Sequence, residues 1–308
     1  GTLSFFNKYT DGLLFYLPVT LSNGFKDVAG NTGSMRNRGV EFEISSQLRP
    51  APELQIRLGI NGAFIDNKII SLPDIDGDGS DDDIVFSPLI LRAGESLSTY
   101  YLVQYDGVDS GNGDALFFNT EQDSSTNIYP SGGSRLLKGS AIPLFTGGFT
   151  LDLNFKGFFA SAAFQTGLGH KIYVDRVFLE DGFRTEFNKN RRQLDSWTSE
   201  NTNTDIPEAR QGVNNGSDAR SEPSTRWLEN GDYMRLKNIQ LGYRFTGLGS
   251  QQNALTVYIA GHNLWTLSNA YNIDPEVSSA PVDQPFRAIN VGSISLSRSI
   301  SFGVKLEL

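Results

Sequence analysis

The sequence predicts an all-β chain forming part of a transmembrane antiparallel β-barrel with long extracellular loops. Three observations predict it: period-two alternation recurs along the chain, short and long connections alternate in phase, and glycine (32 residues) and aromatics (11%) are frequent while cysteine is absent. Many short strands joined by turns give that composition, and the lack of cysteine removes disulfide staples and thiolate metal sites. No run of about 18 apolar residues occurs, which excludes a transmembrane helix. A mean hydropathy of -0.29 is compatible with a barrel, in which only alternate residues meet lipid.

The alternation is clearest in the last segment, where Phe302, Val304, Leu306 and Leu308 share one face and Ser301, Gly303, Lys305 and Glu307 the other. Val40, Phe42 and Ile44 alternate with Glu41, Glu43 and Ser45, and Leu54, Ile56, Leu58 and Ile60 with Gln55, Arg57, Gly59 and Asn61. The same holds for Phe149, Leu151, Leu153 and Phe155 against Thr150, Asp152, Asn154 and Lys156, and for Ile239, Leu241, Tyr243 and Phe245 against Asn238, Gln240, Gly242 and Arg244. A soluble sandwich also alternates, so the connections must separate the two readings.

About ten strands are expected, near residues 2–9, 36–49, 54–70, 98–106, 114–120, 147–156, 158–170, 232–245, 254–266 and 291–308. The long links at 10–35, 71–97, 121–146, 171–231 and 267–290 alternate with short ones, such as Pro50 to Glu53 and the turn at Gly157. Barrels of the outer membrane have short turns on the periplasmic side and long loops outside. The carboxyl end is thereby expected on the periplasmic side. Tyr9, Tyr16, Tyr100, Tyr101, Tyr173, Tyr233, Tyr243, Phe245 and Trp265, near strand ends, are candidates for interfacial girdles.

A net charge of -9 without a basic cluster excludes a nucleic-acid surface. No Walker loop, G-x-S-x-G, H-E-x-x-H or CxxC occurs, so no enzyme activity is expected. His170 and His262 are too few for a histidine metal site and are expected at the surface or an interface; Glu41 and Glu43 with Arg57 are expected as solvated lumen charges. The acidic run Asp74 to Asp83 places Asp74, Asp76 and Asp78 at alternate positions, Gly79 sixth and Asp82 ninth, as in the front half of a calcium loop. The twelfth position is Val85, where a calcium loop has a bidentate glutamate, so the site needs closure from elsewhere or is a solvated acidic loop. No cofactor is required, and Ca²⁺ in this extracellular loop is the one ion the sequence suggests.

Several segments, in order, resemble the SusC/RagA family of TonB-dependent outer-membrane transporters: NTGSMRNRGVEFEIS (Asn31 to Ser45), GES (Gly94 to Ser96), YDGVDSGNGDALFF (Tyr105 to Phe118) and AIPLFTGGFTLDLNFKGF (Ala141 to Phe158). The most diagnostic is ENGDYMRLKNIQLGYRF (Glu229 to Phe245), followed by GHNLWTLS (Gly261 to Ser268), DPE (Asp274 to Glu276) and FGVKLEL (Phe302 to Leu308). The resemblance implies that residues 1–308 are the C-terminal part of one barrel domain, contributing about ten strands of a 22-stranded barrel. A plug domain and the first strands are then expected to precede Gly1, where no signal sequence is visible. It further implies import of oligosaccharides or peptides across the outer membrane of a Bacteroidota-like Gram-negative bacterium. A SusD-like surface lipoprotein, outer-membrane lipid, and TonB acting through the missing N-terminal region are the implied partners. Trp197, Trp227 and Trp265 are the candidate substrate contacts, since sugars stack on rings, with loop packing as the alternative. A passive pore and a structural or adhesive barrel are the competing functions.

Overall fold

The computed structural model describes residues 1–18, 24, 27–130, 132–175, 188–210, 223–247, 253–270, 273–276, 289–290 and 292–307. Its largest unit is an eight-stranded antiparallel sheet of β1 (Thr2–Asp11), β4 (Ser34–Ala51), β5 (Leu54–Ser71), β13 (Phe145–Phe155), β14 (Phe158–Leu168), β17 (Tyr233–Thr246), β18 (Ala254–Ser268) and β19 (Ser299–Glu307), in that order. Every neighbour in this sheet is the next wall strand in sequence, the up-and-down order of a barrel wall.

The strand pairing turns the alternation into continuous rows. One row reads Leu48, Ile56, Leu153, Ala160, Leu241, Ile259 and Phe302 across seven strands. Another reads Phe5, Val40, Phe64, Phe145 and Leu168. Many of these apolar groups are open to the surroundings, Phe302 to 82%. On the opposite face the row through Gln47, Arg57, Asp152, Ser161, Gln240, Ala260 and Ser301 is mainly polar. Residues of seven strands, from Arg49 and Gln55 through Asn154 and Gln240 to Tyr258 and Lys305, line one hollow on this polar side. The sheet is therefore concave toward its polar face, opposite to a sandwich, whose apolar faces meet inside.

The apolar band has the right height. From Leu54 to Phe64 on β5 the outward residues run ten steps, about 33 Å along the strand, or about 23 Å normal to the membrane at a tilt of about 45°. An outer-membrane barrel has a band of about 25 Å. At the short-turn end Phe158 packs edge-on against Tyr243, and Tyr243 against Phe245, each pair with centroids 4.5 Å apart. Tyr243 and Phe245 are among the expected girdle residues. Gly39 and Gly242 admit neighbouring rings, since a Cβ on Gly242 would stand 2.4 Å from the Phe159 ring and one on Gly39 2.8 Å from Phe6.

The wall strands are joined by short links between β4 and β5, β13 and β14, and β17 and β18, and by long links elsewhere. The long links carry structure of their own. A hairpin of β2 (Leu14–Pro18) and β3 (Asp27–Asn31) lies between β1 and β4. Between β5 and β13, β6 (Ile84–Phe86), β7 (Leu89–Leu91), β8 (Thr99–Val103) and β12 (Arg135–Ser140) make one sheet, and β9 (Tyr105–Val108), β10 (Ala115–Phe118) and β11 (Ser125–Thr126) another. After β14, β15 (Lys171–Tyr173) pairs with β16 (Leu228–Asn230).

Two expected wall strands, 98–106 and 114–120, accordingly fold in this loop layer instead. Tyr100, Leu102 and Val103 are fully buried and Tyr100 and Leu102 join a core with Ile69, Leu91, Tyr173 and Trp227, whereas a wall strand keeps one face on lipid. Because they leave the wall together, the phase of short and long links survives. The last wall strand also starts at Ser299, not 291. Tyr100 and Tyr173 are core residues rather than girdle residues, while Tyr9 remains on the open outward face. The side chain of Tyr16 and parts of the loops at 171–231 and 267–290 lie outside the described residues.

Candidate functional site

The polar face of the wall and the loop layer over it form the surface on which a solute could act. The layer is tied to the wall by Asn67, whose Oδ1 accepts from the Leu97 N–H (2.8 Å) and whose Nδ2 donates to Asn37 (2.7 Å). Backbone bonds join Ile69 to Gly94 and Glu95, so the Gly94 to Ser96 segment extends the β5 edge. The Tyr100 hydroxyl donates to the Lys171 carbonyl (3.2 Å) and accepts from the Tyr173 N–H (3.1 Å), which links the two longest loops. Burial pushes the Tyr100 phenol up, so it stays neutral and able to donate.

A second anchor holds the loop after β18. Arg235 of β17 is 3% exposed on its side chain; Nη2 donates to Asp274 Oδ1 (2.6 Å), Nε donates to Thr266 Oγ1 (3.0 Å), and Nη1 lies 2.5 Å from Glu276 Oε2 as an ion pair without hydrogen-bond alignment. Lys237 donates to both Glu276 oxygens (3.0 and 3.2 Å) and the Tyr233 hydroxyl donates to Oε1 (3.3 Å). Asp274 also accepts from the N–H groups of Leu296 (2.9 Å) and Glu276 (3.0 Å). Burial opposes ionisation of Asp274, but these donors and Arg235 outweigh it and hold its carboxyl below the usual range.

The sequence around Arg235 is built for this. Asp232 accepts from the Gly169 N–H (2.6 Å), and Asn230 accepts from the Asp232 N–H (3.0 Å). Gly231 leaves room for His170, whose ring lies 2.5 Å from where a Cβ would stand. A bulge against β14, between Ala163 and Phe164, leaves Lys237 as the extra residue, lining a polar hollow beside Asn238. His170, expected at the surface or an interface, is buried beneath the loop segment around Gly231. His262 does lie open on the polar face, its Nδ1 2.6 Å from Asn238 Oδ1.

No protein-family model matches the chain. It is 29% identical over 304 residues to TonB-dependent receptor P3 of Formosa agariphila, covering 90% of this chain and 29% of that protein. It is 25% identical over 303 residues to TonB-dependent receptor SusC of Bacteroides thetaiotaomicron, covering 93% and 28%. The solved structure of the RagAB peptide transporter superposes with a TM-score of 0.82 at 22% identity, over 99% of this chain and 32% of that one. The RagAB peptide importer in its closed-closed state gives 0.80 at 24% identity, covering 99% and 33%. Over most of its length the chain resembles the SusC/RagA transporters.

The chain spans 29% of the length of receptor P3. Relative to the SusC/RagA-like frame, the candidate residues separate. Trp227 is 1% exposed in the loop core, with the Arg226 guanidinium carbon 4.3 Å above its ring, and cannot meet a substrate there. Trp265 is 45% exposed but opposite Leu236 in the lipid-facing row, on the same face of β18 as Val257 and Ile259. Trp197 is half-buried in the loop layer, its indole N–H donating to the Ser110 carbonyl (3.1 Å) and its ring seated over Gly113. Of the three, Trp197 alone is both partly exposed and in the loop layer.

Asp74, Asp76 and Asp78 place one oxygen each within 4.8 Å of one another, all exposed. Asp82 is not one of this group; its Oδ2 accepts from the N–H groups of Ile75 (2.6 Å) and Asp76 (3.1 Å) in the same loop. Glu41 and Glu43 stand beside Ala63 and Asn61 on the polar face, and Arg57 lies about 13 Å from Glu43 along the strands, out of its reach. Sequence reasoning missed the Arg235 anchor although both of its motifs were visible; opposite charges in GDYMRLK and DPE were the available signal.

Proposed function

We propose that this chain forms part of the wall and the outer loop layer of a TonB-dependent importer in the outer membrane of a Bacteroidota-like bacterium. In this reading a solute enters under a SusD-like lipoprotein, passes along the polar hollow, and moves inward when TonB acts on the rest of the protein. The chain itself does no chemistry. The observation that carries the reading is the pairing of an outward apolar band of membrane height with a concave polar face, capped by ordered loops. Peptides are the first cargo to test, because the solved structures it resembles are described as a peptide transporter or importer. Oligosaccharides are the second, and Trp197 is the ring positioned to stack on either.

A calcium ion at Asp74, Asp76 and Asp78 belongs to the same proposal, as a clamp on the exposed tip of the loop after β5. The test of the whole is uptake of labelled peptides and oligosaccharides by native cells with and without the gene, repeated with TonB disabled. TonB-dependent accumulation, with a surface lipoprotein copurifying, is the expected result. Uptake that survives loss of TonB would make the protein a passive pore, and loss of surface adhesion without loss of uptake would make it an adhesive barrel.

A further inference from the structure

The lipid-facing side of the wall carries, at its long-loop end, a feature that import does not use. One step beyond the apolar row of Phe5, Val40 and Phe64, the outward positions become Asn7, Arg38 and Asp66, and the next row is Tyr9, Arg36 and Lys68. Three cations thus stand just above the apolar band on the face turned away from the hollow. Asp66 answers Arg38 at 2.7 Å and lies 3.7 Å from Arg36, while Asp11 stands one row farther out, on the strand end. The Arg36 Nε is buried and has no hydrogen-bond partner among the described residues. Directly beneath the cations, Phe5, Val40, Phe64 and Leu144 line a mainly apolar groove on the same face.

A cation row over an acyl-sized groove is costly in the middle of a bilayer but nearly free at its edge. It attracts an anionic headgroup there. We propose that this face binds a phosphorylated glycolipid of the lipid A type, from the outer leaflet. Its phosphate sits at the exposed ends of Arg36, Arg38 and Lys68, and one acyl chain lies in the groove between Phe5 and Phe64. The outer leaflet follows from the long-loop end, so the assignment rests on the barrel reading of the proposed function. Planar guanidinium groups at two of the three positions match phosphate oxygens in pairs.

The test is lipid analysis of the full-length protein purified from native outer membranes in mild detergent, as wild type, as the R36Q/R38Q/K68Q triple variant, and as D66N. Wild type is expected to retain lipid A phosphoglycolipid at near-stoichiometric amounts. The triple variant should lose at least tenfold, each cation near an anionic surface being worth about fivefold, with phospholipid unchanged. After prolonged detergent washing that partly strips wild type, D66N, which removes the competing carboxylate, should retain more, so a misfolded triple variant does not leave the outcome open. Equal lipid A in all three, or retention of phospholipid alone, overturns the site. Recovery of the protein in the water-soluble fraction overturns the barrel reading instead.

Discussion

Replacing Arg235 with glutamine should release the loop after β18 from the wall while the wall itself stays folded. The substitution strips Asp274 and Glu276, whose side chains are 5% and 11% exposed, of their shared guanidinium. Breaking a buried pair by removing one partner costs about 3–5 kcal/mol. The lower end applies, because Glu276 keeps Lys237 and Asp274 keeps the N–H groups of Leu296 and Glu276. About 3 kcal/mol shifts the docked-to-undocked ratio of the segment by about 150-fold. Hydrogen exchange on the full-length protein in lipid nanodiscs reads this directly at the Leu296 amide, which donates to Asp274 Oδ2. That amide should exchange about 100-fold faster, with amides in the middle of β17 unaffected. The same amide gives a pH signature: the Asp274 carboxyl is depressed, so its contribution is present above the ordinary carboxylate range and lost as pH falls through the depressed value. Unchanged exchange at Leu296 in Arg235→Gln would refute the idea that this charge network holds the loop down.

Three further outcomes are expected. Leu151→Arg places a cation in the apolar band beside Leu58 and Ala162, and should lower folded-barrel stability in lipid by about 2–4 kcal/mol; Thr150→Arg, on the polar face, should change it by less than about 1 kcal/mol, and equal losses would reverse the assignment of faces. Burial lowers the His170 pKa, opposed by the charge of Asp232, so its packing is intact above the ordinary imidazole value and weakens as pH falls below it. The Gly231 amide, which donates to the His170 carbonyl, should exchange faster at pH 5 than at pH 7.5, and His170→Phe should abolish that difference. Calcium at about 1 mM should slow proteolysis between Asp74 and Asp82, in the range of extracellular sites, with Asp76→Asn insensitive; no protection in wild type would leave the loop a solvated acidic turn.

The sequence by itself determined the wall. Alternation in the segments that became β4, β5, β13, β17 and β19 is a local property of strands with one face in lipid and one in water, and the link lengths order those strands because each turn is a local event. The same signal could not place Thr99–Val103 or Ala115–Phe118. Alternation and β-forming residues also mark a strand packed inside a loop layer, and only the burial of Tyr100 and Phe117 on neighbouring loops separates the cases. Trp227 was legible as a loop aromatic, but its burial depends on tertiary contacts, whereas the outward face of Trp265 follows from alternation with Val257 and Ile259. Tertiary structure alone decided that Arg235 meets Asp274 and Glu276, since pairing across 39 residues depends on how the intervening chain returns to the wall. It also placed Arg36, Arg38 and Lys68 just above the apolar band. There the strand geometry fixes which face they take, and the height of the band makes that position tolerable for charge.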